Sequence, residues 1–186
     1  MRRTLLAFIP IALCIGIGLS CKKEAAHDSL AVSGAEGSCY QSAVPLWIGK
    51  TKTGGVVIIS NDATNMYVNV KLDEVINFQE VAENIKLWIG DDPSKIAMTD
   101  CTPDLAKLPW KASVKFDEEN YVFTIPFTAL SDLHGKTINC STKLYVVACA
   151  NLDVYSSNEL SFGGSKLQDC ANQWWYTTEY EPICCR

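Results

Sequence analysis

The chain has 186 residues and carries 16 lysines and arginines against 21 aspartates and glutamates, a net charge of −5 at pH 7. This length suits one domain with a substantial core and is too short to predict two. The acidic excess does not supply the basic face that nucleic-acid recognition requires, so we expect neither DNA nor RNA as a partner.

Residues 1–20 have the pattern of an export signal. Arg2 and Arg3 supply a positive start, and residues 5–19 form an uncharged, mostly apolar run that is too short to span a membrane comfortably. A small residue, Cys21 and a lysine pair follow. Removal of the signal would leave 166 residues with 14 basic and 21 acidic side chains, a net charge of −7. An ordinary secretory peptide and an uncut N-terminal anchor remain alternatives.

The junction Gly18-Leu19-Ser20-Cys21 resembles a lipobox, the sequence at which signal peptidase II cuts before a cysteine that carries a diacylglyceryl group. Gly18 stands where Leu or Val is usual. The resemblance is to bacterial lipoproteins of the Bacteroidota type. It implies that Cys21 is the lipidation site, with fatty acyl chains such as palmitate, and that the protein is held in the cell envelope, at the outer membrane, on its periplasmic or surface face.

Residues 21–38 are small and polar and have no periodic apolar face, which predicts a flexible tether ahead of a domain at 39–186. Within it, Asp28-Ser29-Leu30 resembles the three-residue O-glycosylation site of exported Bacteroidota proteins. The resemblance implies Ser29 as the acceptor. A chance match is the alternative.

Seven cysteines follow the tether, and outside the cytoplasm we expect them to form structural disulfides, each worth roughly 2 to 4 kcal/mol. The disulfide candidates are Cys39, Cys101, Cys140, Cys149, Cys170, Cys184 and Cys185. The odd number predicts one free or buried thiol, or an intermolecular bond. The adjacent pair at 184 and 185 should have two different partners, because bridging neighbours strains the peptide between them. The chain has no Cys-x-x-Cys, so a zinc site or a redox dithiol is the weaker alternative, and we expect no metal and no cofactor.

The dominant period from residue 40 onward is two, which is typical of strands with one buried face. A run at 56–59 ends in the turn residues 60–65. The alternation over 66–72 then predicts a half-buried antiparallel strand. A similar pattern recurs at 85–89. The segment 75–85 could instead form a short helix.

Later segments complete about eight predicted strands. The polar turn at 117–120 predicts a hairpin over 110–126, followed by a helical turn at 128–133 before Gly135. Residues 144–150 are apolar at nearly every position, as in a central strand covered from two sides. We therefore predict an all-β, antiparallel β-sandwich or jelly-roll-like single domain.

No motif for catalysis stands out. A Gly-x-Ser-x-Gly frame is missing, and His134 is the only histidine within the predicted domain. Paired carboxylates could serve a hydrolase, and the acidic loop at 90–94 could bind calcium. The carboxylate candidates are Asp91, Asp92, Asp100 and Asp104. All four fall at predicted turns, so solvated loop carboxylates are the alternative.

The aromatic residues are the other candidate surface feature. The candidates for stacking on a ligand are Trp88, Trp110, Trp174 and Trp175. Consecutive rings at 174–175 must point to opposite faces of a strand, so we expect at least one to lie outside the main core. Exposed rings beside polar groups bind sugars or anchor protein partners. A second core layer is the alternative.

The strand patterns at 44–49, 86–90 and 144–148 and the Trp-rich, Cys-ending tail resemble a loose group of uncharacterised secreted β-sandwich proteins of the Bacteroidota. This resemblance implies an envelope setting and transfers no functional residue except Cys21. We expect a non-enzymatic, lipid-anchored binding protein whose partner is a glycan or an envelope protein. A glycan-binding accessory protein, a carboxylate-dependent hydrolase and a structural or assembly role are the alternatives.

Overall fold

The structure is a computed structural model that describes residues 38–170 and 172–185. Within them the chain forms thirteen strands, one α-helix and two single-turn 3₁₀ helices at Pro93–Lys95 and Leu105–Lys107. The strands are β1 (Tyr40–Ile48), β2 (Lys52–Asn61), β3 (Asn65–Leu72), β4 (Ile76–Phe78), β5 (Ile85–Gly90), β6 (Met98–Thr99), β7 (Thr102–Pro103), β8 (Trp110–Ala112), β9 (Asn120–Pro126), β10 (Leu144–Val154), β11 (Ser157–Gly163), β12 (Lys166–Cys170) and β13 (Gln173–Tyr180), and the helix is α1 (Phe127–His134).

The strands form one large curled antiparallel sheet and one small sheet. The large sheet runs in the order β12-β13-β10-β11-β1-β2-β3-β9, and β4 and β5 pair with the other edge of β10. Strand β8 pairs with β5, and β6 and β7 form the small sheet. The architecture is a sandwich-like all-β domain, which confirms the predicted fold class.

Strand β10 supplies side chains to two separate cores. Its even-numbered residues lie in the inner core, which also contains the buried apolar side chains of β1–β5, β9 and α1. Val147 and Cys149 point the other way, into the outer core. The outer core consists of Trp88, Ile96, Leu108, Val147, Cys149, Phe162, Trp175 and Tyr176. The prediction that residues 144–150 are covered from two sides is therefore confirmed.

Several predicted elements are present as expected. The alternation over 66–72 is confirmed, because Met66, Val68, Val70 and Leu72 of β3 are buried in the inner core. The predicted helical turn is α1, which ends at Gly135 in the left-handed conformation with φ of 64°. Glycine adopts this conformation without the steric cost that a Cβ imposes.

The predicted hairpin over 110–126 is wrong. Strand β8 pairs with β5, and β9 pairs with β3. The reason lies in the buried Asn84, whose side chain accepts a hydrogen bond from Val114 N (2.8 Å) and donates one to Val114 O (2.7 Å). These contacts hold the chain after β8 beside the start of β5. The helix considered at 75–85 is not formed either, since Ile76–Phe78 is strand β4 and pairs with β10.

Six cysteines form three pairs at disulfide distance. The pairs are Cys39–Cys185, Cys101–Cys170 and Cys140–Cys184, with Cα atoms 5.4, 5.9 and 4.9 Å apart. The adjacent cysteines at 184 and 185 thus have different partners. Asn61, which is fully buried, also holds this end of the chain: it donates to Ile183 O (2.9 Å) and accepts from Tyr180 Oη (2.8 Å).

Cys149 is the cysteine left over. It is free and only 2% exposed, and burial raises the pKa of its thiol to about 12. Such a thiol stays neutral and packs as a small apolar group, so this disulfide candidate is an outer-core residue instead.

The export signal at 1–20, Cys21, Ser29 and the tether as far as residue 37 lie outside the described residues. None of the helices formed by the described part of the chain is long and apolar enough to cross a membrane.

Candidate functional site

Two of the four candidate tryptophans lie inside the protein. Trp88 is 5% exposed and Trp175 is 9% exposed, and both belong to the outer core. Trp175 Nε1 donates a hydrogen bond to Cys101 O at 3.2 Å, which joins the ring to the segment covering it. The alternative interpretation, a second core layer, is therefore the correct one for these rings. This layer is the outer core, which forms because the apolar outer face of β10 must be covered. Trp88 and Trp175 are therefore not exposed stacking platforms, and that prediction is wrong for these two rings.

Trp110 also packs against a core. It is partly buried at the start of β8, and its ring contacts the inner core. Because β8 pairs with β5, this ring extends the hydrophobic layer beside Leu87, its partner in the strand register. A mainly structural role fits these contacts.

Trp174 is a partly exposed candidate that borders open space. It is half-buried, and it borders a cavity of about 240 Å³ where β11, β13 and the segment after Cys101 meet. The cavity is lined by Thr102, Pro103, Leu105, Glu159, Leu160, Phe162, Gln173 and Trp174. We call it the Trp174 cavity.

The Trp174 ring is held by neighbouring aromatic rings. Its centroid lies 5.6 Å from that of Phe162 at an interplanar angle of 83°, and 6.2 Å from that of Tyr176 at 67°. Edge-to-face contacts of this kind are favourable and fix the ring plane. Cys101 lies one residue before Thr102, and its pairing at disulfide distance with Cys170 brings β12 to the same region.

The polar groups of the Trp174 cavity suit a hydroxylated ligand. Glu159 supplies a carboxylate acceptor, Gln173 an amide that both donates and accepts, and Thr102 a hydroxyl. Leu160 adds an apolar side chain that is 37% exposed. An aromatic ring with a few polar groups around it is how proteins bind molecules that have one apolar face and several hydroxyls. The sequence identified the ring, but no local pattern marked its three polar neighbours, which come from three separate segments.

The candidate carboxylates are engaged in turns and ion pairs. Asp91 binds Lys136, and Asp104 binds Lys107 at 3.0 Å. Asp92 accepts a hydrogen bond from Ser94 N at 3.0 Å.

These contacts lower the pKa of all three carboxyls. The main cause is a hydrogen bond from Lys136 for Asp91, from Ser94 for Asp92 and from Lys107 for Asp104. A general acid of a glycosidase needs the opposite, a raised pKa. The fourth candidate, Asp100, is an exposed turn residue with φ of 48°.

Asp62 has the most perturbed carboxyl, and its surroundings explain it. Burial raises its pKa, but hydrogen bonds from the Tyr67 hydroxyl, the Thr64 and Asn65 amides and the Asn65 side chain outweigh burial and hold the pKa well below its usual range. Thr64 N and Asn65 N lie 2.7 and 2.6 Å from Asp62 Oδ1. Perturbed groups often mark functional sites, but here the contacts close the turn between β2 and β3.

Nothing groups these acids into a metal site. Among residues 38–170 and 172–185, no three side chains of His, Cys, Asp and Glu are arranged so that they could hold a metal ion. The calcium alternative for the loop at 90–94 therefore gains no support from the geometry, because Asp91 is engaged by lysines and Asp92 by the backbone of its own turn.

The fold and its cavities define an all-β domain with three cysteine pairs at disulfide distance and an aromatic-lined cavity at the edge of its outer core. The sequence matches no family model, no curated protein and no solved structure.

Trp174 and Trp175 are adjacent but should differ in their contribution to stability. Trp175→Ala removes a buried outer-core ring and should lower the free energy of unfolding by about 3–5 kcal/mol. Trp174→Ala removes a half-exposed ring and should cost less than about 2 kcal/mol. Urea denaturation followed by circular dichroism measures both. Equal losses would contradict the assignment of one ring to the core and the other to the cavity.

Proposed function

We propose that the protein is a lipid-anchored component of the cell envelope whose β-sandwich domain binds a ligand or partner without catalysing a reaction. The observation that carries this proposal is the arrangement of its cysteines, with six in pairs at disulfide distance and Cys149 buried. Disulfides form and persist in exported proteins, which agrees with an export signal at residues 1–20. Lipid on Cys21 would make the membrane its first partner.

The Trp174 cavity supports a binding role. It combines a fixed ring with polar groups from three segments, and its carboxylate, Glu159, has no second acid among the lining residues. A glycosidase needs two carboxyl groups facing one bond. Three of the four acids considered for a hydrolase, Asp91, Asp92 and Asp104, take part in turns or ion pairs. Binding without chemistry is the simplest use of such a cavity.

A glycan-binding accessory protein is the more specific candidate. The Trp174 ring would stack on the apolar face of a sugar, while Glu159, Gln173 and Thr102 would hydrogen-bond to its hydroxyls. An envelope protein whose exposed side chain inserts into the same cavity is the competing partner.

Membrane attachment is expected to depend on Cys21. The wild-type protein should partition with membranes, and the mature chain should begin at Cys21 with the mass of attached acyl chains. Cys21→Ser should abolish lipidation and release the protein from washed membranes. Cell fractionation and intact-mass spectrometry check both expectations.

Cys14→Ser is the matched control, because residue 14 lies in the segment that cleavage removes. It should leave attachment unchanged. An unlipidated wild-type chain would refute the anchor.

Sugar binding is expected to depend on Trp174. On a glycan array the folded protein should bind, and Trp174→Ala should weaken that binding at least about tenfold, because tenfold corresponds to about 1.4 kcal/mol and a stacked ring supplies an energy of this order. Tyr155→Ala is the control, since Tyr155 is 76% exposed and does not line the cavity.

Absence of glycan binding by a protein with an intact circular dichroism spectrum would remove the glycan candidate. Equal losses in the Trp174 and Tyr155 variants would remove the cavity as its site.

A further inference from the structure

A second cavity, of about 300 Å³, lies beside the C-terminal end of α1. Its charged lining residues are Lys95 and Lys107, and its rings are those of Trp88 and His134. No carboxylate lines this cavity, although the chain carries 21 acidic residues against 16 lysines and arginines. We call it the Lys95–Lys107 cavity.

The two rings of this cavity are held in fixed positions. His134 Nε2 lies 2.7 Å from Ile89 O, and because a carbonyl oxygen only accepts, Nε2 carries a proton and donates it. The Trp88 and His134 centroids are 6.0 Å apart with the ring planes at 83°. Both rings pack on Gly90, where a Cβ would lie 2.6 Å from the Trp88 ring and 2.7 Å from the His134 ring. The backbone at Gly90 thus permits a close approach that other residues would prevent.

The acids near this cavity lie outside its lining and have partners. Asp91 binds Lys136 and also forms an ion pair with Lys95, whose Nζ lies 3.6 Å from Asp91 Oδ1, beyond the length of a hydrogen bond. Asp104 binds Lys107 at 3.0 Å and accepts a hydrogen bond from the backbone of the 3₁₀ helix that it begins. The ammonium groups of Lys95 and Lys107 therefore keep donors that a ligand in the cavity can use, since each has three.

The rest of the lining is apolar. It comprises Ala97, Pro109 and Leu133, and the Leu133 side chain is 48% exposed. A ligand with only a charged group would leave these surfaces in water. A ligand with only an apolar body would gain nothing from the two lysines. The lining matches a molecule that has both parts.

We propose that the Lys95–Lys107 cavity binds a small organic acid, a carboxylate attached to an apolar body. The carboxylate contacts the two lysines, and the apolar body lies against Ala97, Pro109 and Leu133. The volume of about 300 Å³ is at the lower limit of small-molecule sites and suits a single small molecule. This site is separate from the Trp174 cavity, and the inference does not rest on the lipid anchor or on sugar binding.

Benzoate is a suitable probe, because it joins one carboxylate to an apolar ring. Isothermal titration of the full, detergent-extracted protein with benzoate should show one saturable site whose affinity falls as salt rises. Benzamide has a similar shape and no charge, so it should bind at least about tenfold more weakly. Inorganic phosphate has charge and no apolar body, and it should also bind more weakly than benzoate.

The variant Lys95→Gln/Lys107→Gln should lower the affinity for benzoate at least about tenfold without a change in the circular dichroism spectrum. Lys71→Gln, at an exposed position of β3, is the matched control and should bind like the wild type. Trp174→Ala should also leave benzoate binding unchanged, which separates this site from the Trp174 cavity.

Three results would overturn the proposal. They are the absence of benzoate binding, equal affinities for benzoate and benzamide, and equal losses in the lysine pair variant and the Lys71 control. Phosphate binding as tight as that of benzoate would overturn the apolar half of the assignment.

Discussion

The structure depends on β10, whose residues 144–150 are apolar on both faces of the strand. Side chains of β10 alternate between the inner core and the outer core, and β10 pairs with β5 and β4 on one edge and with β13 and β11 on the other. An apolar outer face is unfavourable in water, so it has to be covered. The segment from Asp91 to Pro109 and the hairpin of β12 and β13 form that cover, and the pair Cys101–Cys170 joins them.

Both candidate binding cavities follow from this cover. Trp88 and Trp175 lie in the outer core beneath the cover, whereas Trp174 and the lysines of the 3₁₀ helices lie at the margins of the cover. A cover made of short elements leaves gaps where loops meet, and the side chains around those gaps have fixed positions because the core beneath is close-packed. Binding sites at the edges of a rigid scaffold are a common arrangement in β-sandwich domains.

The sequence predicts the faces of strands better than their partners. The alternation over 66–72 and the apolar run at 144–150 identify β3 and β10, because burial on one or two faces leaves a direct pattern. The pairing of β8 with β5 leaves no such pattern, and the proximity of residues 110–112 and 120–126 in the chain wrongly favours a hairpin. The burial of Trp88 depends on which distant segment covers it. The polar neighbours of Trp174 and the lysines of the second cavity meet only through the fold.

The covered outer face is tested most directly by the reactivity of Cys149. The native protein is treated with iodoacetamide, then denatured without reductant and treated with a second, isotopically distinct reagent, and its peptides are mapped by mass spectrometry. Cys149 should carry only the second label. The peptide of Cys101 should be recovered linked to that of Cys170, and the peptides of Cys39 and Cys140 should both be linked to the one that contains Cys184 and Cys185. Labelling of Cys149 in the native protein, or its recovery in a disulfide, would contradict an outer core built on β10.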